Sequence, residues 1–90
     1  MRFRKKPVEI EAIQFEGTTK SKETIVAKFG LSGNTGPSPH SIFIHTLEGT
    51  MTAYRGDWIV KGIKGEFYPV RDDIFKETYE KVEESNASNS

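Results

Sequence analysis

The sequence predicts an α+β domain: a small, curled, mainly antiparallel sheet of five or six strands, partly barrel-like, with one helix packed on it. Three observations carry this. From Leu47 to Tyr79 apolar and polar residues alternate, and glycine turns cut the run at short intervals, the pattern of a compact meander. A second alternating run, Val8 to Phe15, opens the chain. Between them lies one short stripe at helical spacing, Ile25, Val26 and Phe29.

The first strand is expected over Val8–Phe15, starting after Pro7, where no ladder donor is needed. Val8, Ile10 and Ala12 alternate with Glu9 and Glu11, and the apolar phase then switches to Ile13 and Phe15. That shift implies a β-bulge near Ala12 or burial on both faces. Glu16-Gly17 ends the strand. A helix is expected over about Ser21–Phe29, capped by Ser21 or Thr19, with Glu23 in its first turn. Gly30 is placed for a left-handed stop and Leu31 for folding back on Val26, as in a Schellman motif. Ser32–Ser41, rich in glycine, proline and serine, is a mobile connector or a lid over a ligand.

The next strand is Ile42–Thr46, with Ile42 and Ile44 on one face and Phe43 and His45 on the other. Glu48-Gly49 turns the chain into Thr50–Tyr54, where Met51 and Ala53 point inward. Arg55-Gly56-Asp57 turns it again into Trp58–Val60. Gly62 and Gly65 bracket a second hairpin, from which Glu66–Val70 returns. Asp72 is a candidate cap for one helical turn over Asp73–Lys76, followed by a short strand over 78–82 beside the first strand. The domain is expected over 1–82, with a disordered polar tail over 83–90. The expected core is Val8, Ile10, Ile13, Ile25, Phe29, Ile42, Ile44, Met51, Trp58, Val60, Phe67 and Phe75.

Ninety residues build only a modest core, so pairing of exposed strand edges in a homodimer is a natural supplement. Cysteine is absent, which excludes a disulfide framework and thiolate metal sites. No apolar run approaches the ~18 residues of a membrane span, and no signal peptide opens the chain, so a soluble cytoplasmic protein is expected. Net charge is zero and mean hydropathy −0.58. Residues 1–45 are net basic and 46–90 net acidic. A neutral domain is a poor candidate for strong non-specific nucleic-acid binding.

Several runs together carry a resemblance: Arg4-Lys5-Lys6-Pro7, Thr46-Leu47-Glu48-Gly49, Gly56-Asp57-Trp58-Ile59, Gly65-Glu66-Phe67-Tyr68-Pro69 and Asp73-Ile74-Phe75. With these the chain resembles a family of small proteins common in phage and prophage genomes, and it is distantly similar to the PGDYG domain family. The resemblance covers residues 2–82 except 18–41. It departs at Phe15, where relatives usually carry tryptophan, and at Asp72 and Lys81, where they often carry proline. The Phe15 departure matters if that ring stacks on a ligand. The resemblance implies a phage or prophage origin and the host cytoplasm. It supplies no mechanism.

Candidate binding residues lie around the meander turns: Tyr54, Arg55, Asp57, Trp58, Tyr68 and Arg71. Aromatic rings beside cations suit a nucleotide or a phosphate. Each also has a plainer role. Asp57 can close its own turn, Trp58 can be core, and the cations can be a solvated rim. Glu66 can pair with Lys61, Lys64 or Arg4. His40 and His45 lack the carboxylate spacing of a metal site. No nucleophile elbow, P-loop or dinucleotide fingerprint is present. The expectation is a protein with no catalytic residues, no metal and no cofactor. Its expected role is a binding module acting on the host in counter-defence, sequestering a nucleotide-type signal or blocking a host effector protein. The alternatives are a virion structural or assembly protein and a nucleic-acid-associated or anti-CRISPR-type inhibitor.

Overall fold

The computed structural model describes residues 1–2 and 9–80 of the chain. They run β1 (Glu11–Gln14), α1 (Thr19–Phe29), β2 (Ser41–Thr46), β3 (Gly49–Tyr54), β4 (Trp58–Lys61), β5 (Phe67–Val70) and α2 (Asp72–Thr78). The architecture is α+β, with two antiparallel sheets and two helices rather than one sheet and one helix. A three-stranded sheet has the order β1-β4-β5, and β2-β3 forms a separate two-stranded sheet.

Register sorts the three-stranded sheet into two faces. Ala12 pairs with Val60 and Gln14 with Trp58, while Tyr68 and Val70 pair with the same two β4 residues. Paired residues share a face. One face therefore carries Ala12, Gln14, Trp58, Val60, Tyr68 and Val70. The other carries Ile13, Ile59, Phe67 and, two residues beyond Ile13, Phe15. This second face meets Ile25 of α1 and Ile42, Ile44 and Ala53 of the hairpin in the main core. Ile13, Phe29, Leu31 and Phe67 pack around it. Residues 11–14 pair one to one with 61–58, so no bulge interrupts β1 there; the phase shift reflects use of both faces.

The first face is covered by α2. Phe75 stacks on Trp58, with ring centroids 4.2 Å apart and planes 6° from parallel, and Tyr79 lies against Phe75 at 5.0 Å. Val60, fully buried, belongs to this layer. The helix runs through Thr78, so the expected strand over 78–82 does not begin there; its last two residues lie outside the described part, as do Val8 and the 83–90 tail. Arg71, not Asp72, is the N-cap, without a side-chain capping bond.

Helix α1 starts two residues earlier than expected. Thr18 is its N-cap, and its side chain accepts from the Ser21 N–H at 3.1 Å. Glu23 consequently falls beyond the first turn. The stop is as read: Gly30 is left-handed at φ 62°, its N–H donates to Ala27 O, and Leu31 N–H donates to Val26 O at 3.0 Å. These are the paired bonds of a Schellman motif.

Ile42 and Ile44 are buried as expected, but Met51, opposite Ile44, is 47% exposed. It lies toward the hairpin tip, where the two-stranded sheet runs past its cover, while Ala53 nearer the base is fully buried. The turn residues are Leu47 and Glu48, because Gly49 already pairs with Thr46. Phe15 and Ile59 join the closed core although neither was in the expected set. The Phe15 ring is therefore inside the protein, not available to stack on a ligand.

The 32–41 segment lies along β2. Thr35 O accepts from Phe43 N–H at 3.0 Å. The Lys22 ammonium donates to Gly36 O and Ser38 O at 2.9 and 2.6 Å. His45 Nε2–H donates to Asn34 O at 2.9 Å, which leaves Nδ1 to accept from the Thr50 hydroxyl at 3.1 Å.

Candidate functional site

The rim residues fall into two groups. Tyr54, Arg55 and Asp57 belong to the β3–β4 turn. Asp57 Oδ2 accepts from Tyr54 N–H at 2.9 Å, Asp57 N–H donates to Tyr54 O at 2.9 Å, and Gly56 sits at φ 94°. This is the self-closing turn expected of an aspartate after glycine. The turn is stitched to β1, since Gly56 N–H donates to Phe15 O and Phe15 N–H to Asp57 O, both at 2.8 Å. The Arg55 stem packs over Gly17, where an added Cβ would lie 2.9 Å from Arg55 Cβ. The Tyr54 ring is 61% exposed.

Trp58, Tyr68 and Arg71 lie on the α2 side of the sheet. Trp58 Nε1–H donates to Asp72 Oδ1 at 2.8 Å. Gln14 Nε2 donates to the same oxygen at 3.3 Å and to Gly56 O at 3.0 Å, linking α2, β1 and the β3–β4 turn. Lys76 reaches Asp72 Oδ2 at 3.2 Å. The Trp58 N–H and then Lys76 hold the Asp72 carboxyl below its ordinary range. Asp72 is thus a hub that sequence reasoning saw only as a cap. The available signal was a lone tryptophan, whose N–H needs an acceptor when half-buried, beside an acid with a lysine four residues on. The Tyr68 and Tyr79 hydroxyls lie 3.5 Å apart, a long contact. That contact, then burial, pushes Tyr68 up to about 12. Among the described residues, Arg71 pairs only with Asp73, at 3.5 Å, and both side chains are well exposed.

Glu66 Oε1 accepts from Lys64 backbone N–H at 3.1 Å, within its own hairpin. Its expected ion pairs with Lys61 or Lys64 do not form among the described residues, and Arg4 lies outside them. No group of three His, Asp or Glu residues within the described part is placed to hold a metal.

Of the six rim residues, Tyr68 lines a cleft formed by the described residues. That cleft, about 330 Å³, lies between the β2–β3 tip and β5 and is bounded by Thr46, Leu47, Glu48, Met51, Glu66, Phe67, Tyr68 and Pro69. Leu47 is 89% exposed at its mouth. Among the described residues, Glu48 and Glu66 are its only charged walls. From the sequence, Met51 and Phe67 are expected in the core, and Leu47 has no expected role beside the Glu48-Gly49 turn. The signal missed was position: the hairpin tip reaches beyond the main core. A wider groove of about 610 Å³ runs between α1 and residues 35–39. Among the described residues its one cation, Lys22, is already engaged by two carbonyls.

Comparison with protein-family models, curated proteins and solved structures finds no match to this chain. No helix of the described residues is long and apolar enough to cross a membrane.

Proposed function

We propose that this protein is a non-catalytic binding module that works by occupying a protein partner, through the cleft between the β2–β3 tip and β5. One observation carries the reading: the cleft joins exposed apolar side chains, Leu47 and Met51, to Phe67 and Pro69, with two carboxylates and no cation among the described residues of its wall. Such a wall repels a phosphate. It suits an apolar side chain flanked by lysine or arginine on a partner protein. Asp57 and Asp72, which a nucleotide site would use as acceptors, are engaged by Tyr54 N–H and by Trp58 and Gln14. This favours a blocked host protein over a sequestered nucleotide-type signal. The resemblance to phage and prophage proteins supplies the setting, a counter-defence protein in the host cytoplasm, and the partner is then a host effector.

The test uses Leu47→Asp, whose exposed position leaves the core untouched. Wild type is expected to retain one host protein in fixed stoichiometry, and the variant to lose it while keeping its far-UV spectrum. Equal capture by both proteins overturns the proposal. So does a thermal shift with any nucleotide that grows with ligand concentration.

A further inference from the structure

Backbone parity decides which groups of β3 point away from β2. Phe43 N–H donates to Thr35 O, on the side away from β3. In an antiparallel pair, directly opposed residues turn their N–H and C=O groups both toward each other or both outward. Phe43 opposes Thr52, so Thr52 turns outward, and so by alternation do Thr50 and Tyr54. The Tyr54 N–H agrees, since it is taken by Asp57 Oδ2. Among the described residues, no hydrogen bond uses the N–H or C=O of Thr50 or Thr52 on that edge.

The other edges carry the usual protections. The outer edge of β2 is covered at Phe43 by Thr35. On β5, the Gly62 N–H to Glu66 O bond turns Glu66, Tyr68 and Val70 toward β4, leaving Phe67 and Pro69 outward. Pro69 has no N–H to offer an added strand. Strand β1 is four residues long and opens on Glu11. Strand β2, Ser-Ile-Phe-Ile-His-Thr, also lacks proline and a formally charged residue, but it has the Thr35 cover; β3, Gly-Thr-Met-Thr-Ala-Tyr, has neither charge nor proline and no such cover among the described residues.

We propose that β3 pairs antiparallel with β3 of a second copy, across a two-fold axis at Met51, making a four-stranded sheet β2-β3-β3-β2. A charge-free strand meets an identical strand without repulsion, and the register follows from the groups available. Centred on Met51, each Thr50 exchanges both bonds with the partner's Thr52, and every outward group of the two threonines is used. Centred on Thr52, each Thr50 would face the partner's Tyr54, whose N–H is already held by Asp57, so the Thr50 carbonyl would go unpaired. The Met51 register also sets the two methionines opposite each other in a non-hydrogen-bonded pair, where side chains approach most closely. It thereby covers the side chain the single chain leaves 47% exposed. Met51 borders the proposed binding cleft, so the two clefts of the dimer adjoin across the axis. The dimer itself does not depend on what occupies them.

The test is mass measurement by light scattering across a concentration series, with far-UV spectra as a check on folding. Wild type is expected to be a dimer that dissociates on dilution. Met51→Lys and Met51→Glu are each expected to raise the dissociation constant by about tenfold or more, because like charges then face each other at the axis. An equimolar mixture of the two is expected to recover dimer as a heterodimer, which only the Met51 register predicts. Thr52→Pro, which removes an outward N–H from each copy, is expected to weaken association by about 30-fold. A monomer at every concentration overturns the proposal, and so does a dimer indifferent to all three variants. Protection of the Thr50 and Thr52 amides from exchange in a monomer would likewise overturn it, showing that another part of the same chain holds the edge.

Discussion

Truncating Phe15 to alanine separates a core role for this ring from a role in stacking on a ligand. The ring is fully buried against Ile25, Ile42, Ile44, Ala53 and Ile59. Its backbone is held independently, by Asp57 O and Gly56 N–H, so the substitution removes packing and leaves the stitch between β1 and the β3–β4 turn. Removing a closed phenylalanine side chain costs about 3–5 kcal/mol, from lost transfer energy and the residual cavity. A domain of this length has roughly 5–13 kcal/mol in total, so about a quarter or more of its stability is at stake. With a urea dependence of ~1.5 kcal/mol per molar, the unfolding midpoint should fall by roughly 2–3 M. The assay is urea unfolding followed by Trp58 fluorescence and far-UV circular dichroism. An unchanged slope confirms that stability, not compactness, has moved. Phe15→Leu, which keeps most of the volume, should cost only about 1–2 kcal/mol. A loss below ~1 kcal/mol for Phe15→Ala would refute the closed core around β1.

Three further outcomes follow from the second layer and the helix cap. Asp72 has a folded-state pKa held below its ordinary value of 3.8. Its contribution is present above that value and is lost as pH falls through the lowered one, so Asp72→Asn should flatten the acid limb of stability against pH and alter Trp58 fluorescence. Tyr68 is raised from 10.0 to about 12, so its contribution is complete below pH 10.0 and is lost as pH climbs toward about 12. Tyr79→Phe removes the leading cause and should return Tyr68 toward its ordinary titration, read by tyrosinate absorbance. Thr18→Ala deletes the side-chain cap of α1 and should cost about 1 kcal/mol by thermal or urea unfolding, while Thr18→Ser should cost only a few tenths.

Local rules made much of the fold legible. Alternation located β2 and β3, glycine placed the β3–β4 and β4–β5 turns, and Gly30-Leu31 announced the end of α1, because each depends on neighbours within a few residues. What stayed hidden depends on tertiary placement. Trp58-Ile59-Val60 reads as one buried strand, yet Ile59 enters the main core while Trp58 and Val60 enter a second layer under α2. No periodicity distinguishes a strand buried on both faces by different partners from one buried by a single partner. Helix α2 was read as one turn for a related reason. It is short, and its anchors are the cross-chain contacts of Phe75 with Trp58 and of Asp72 with Trp58 and Gln14.

The candidate site was less legible, because residue type and the exposed apolar cleft point to different parts of the meander. An aromatic beside a cation marked Tyr54, Arg55, Trp58, Tyr68 and Arg71, but Trp58 has its hydrogen-bond and stacking partners inside the fold. Arg55 packs its stem on Gly17. Tyr68 also reaches a cleft, and there it stands beside Leu47 and Met51, residues whose type announces core. Exposure of an apolar side chain is a property of where its element stops, and it cannot be read from alternation. Met51 shows the consequence. The pattern that placed it inward on the face of Ile44 and Ala53 was right about the face. Among the described residues nothing covers it at the hairpin tip, and the uncharged edge of the same strand is where the proposed pairing with a second copy of β3 would supply a cover.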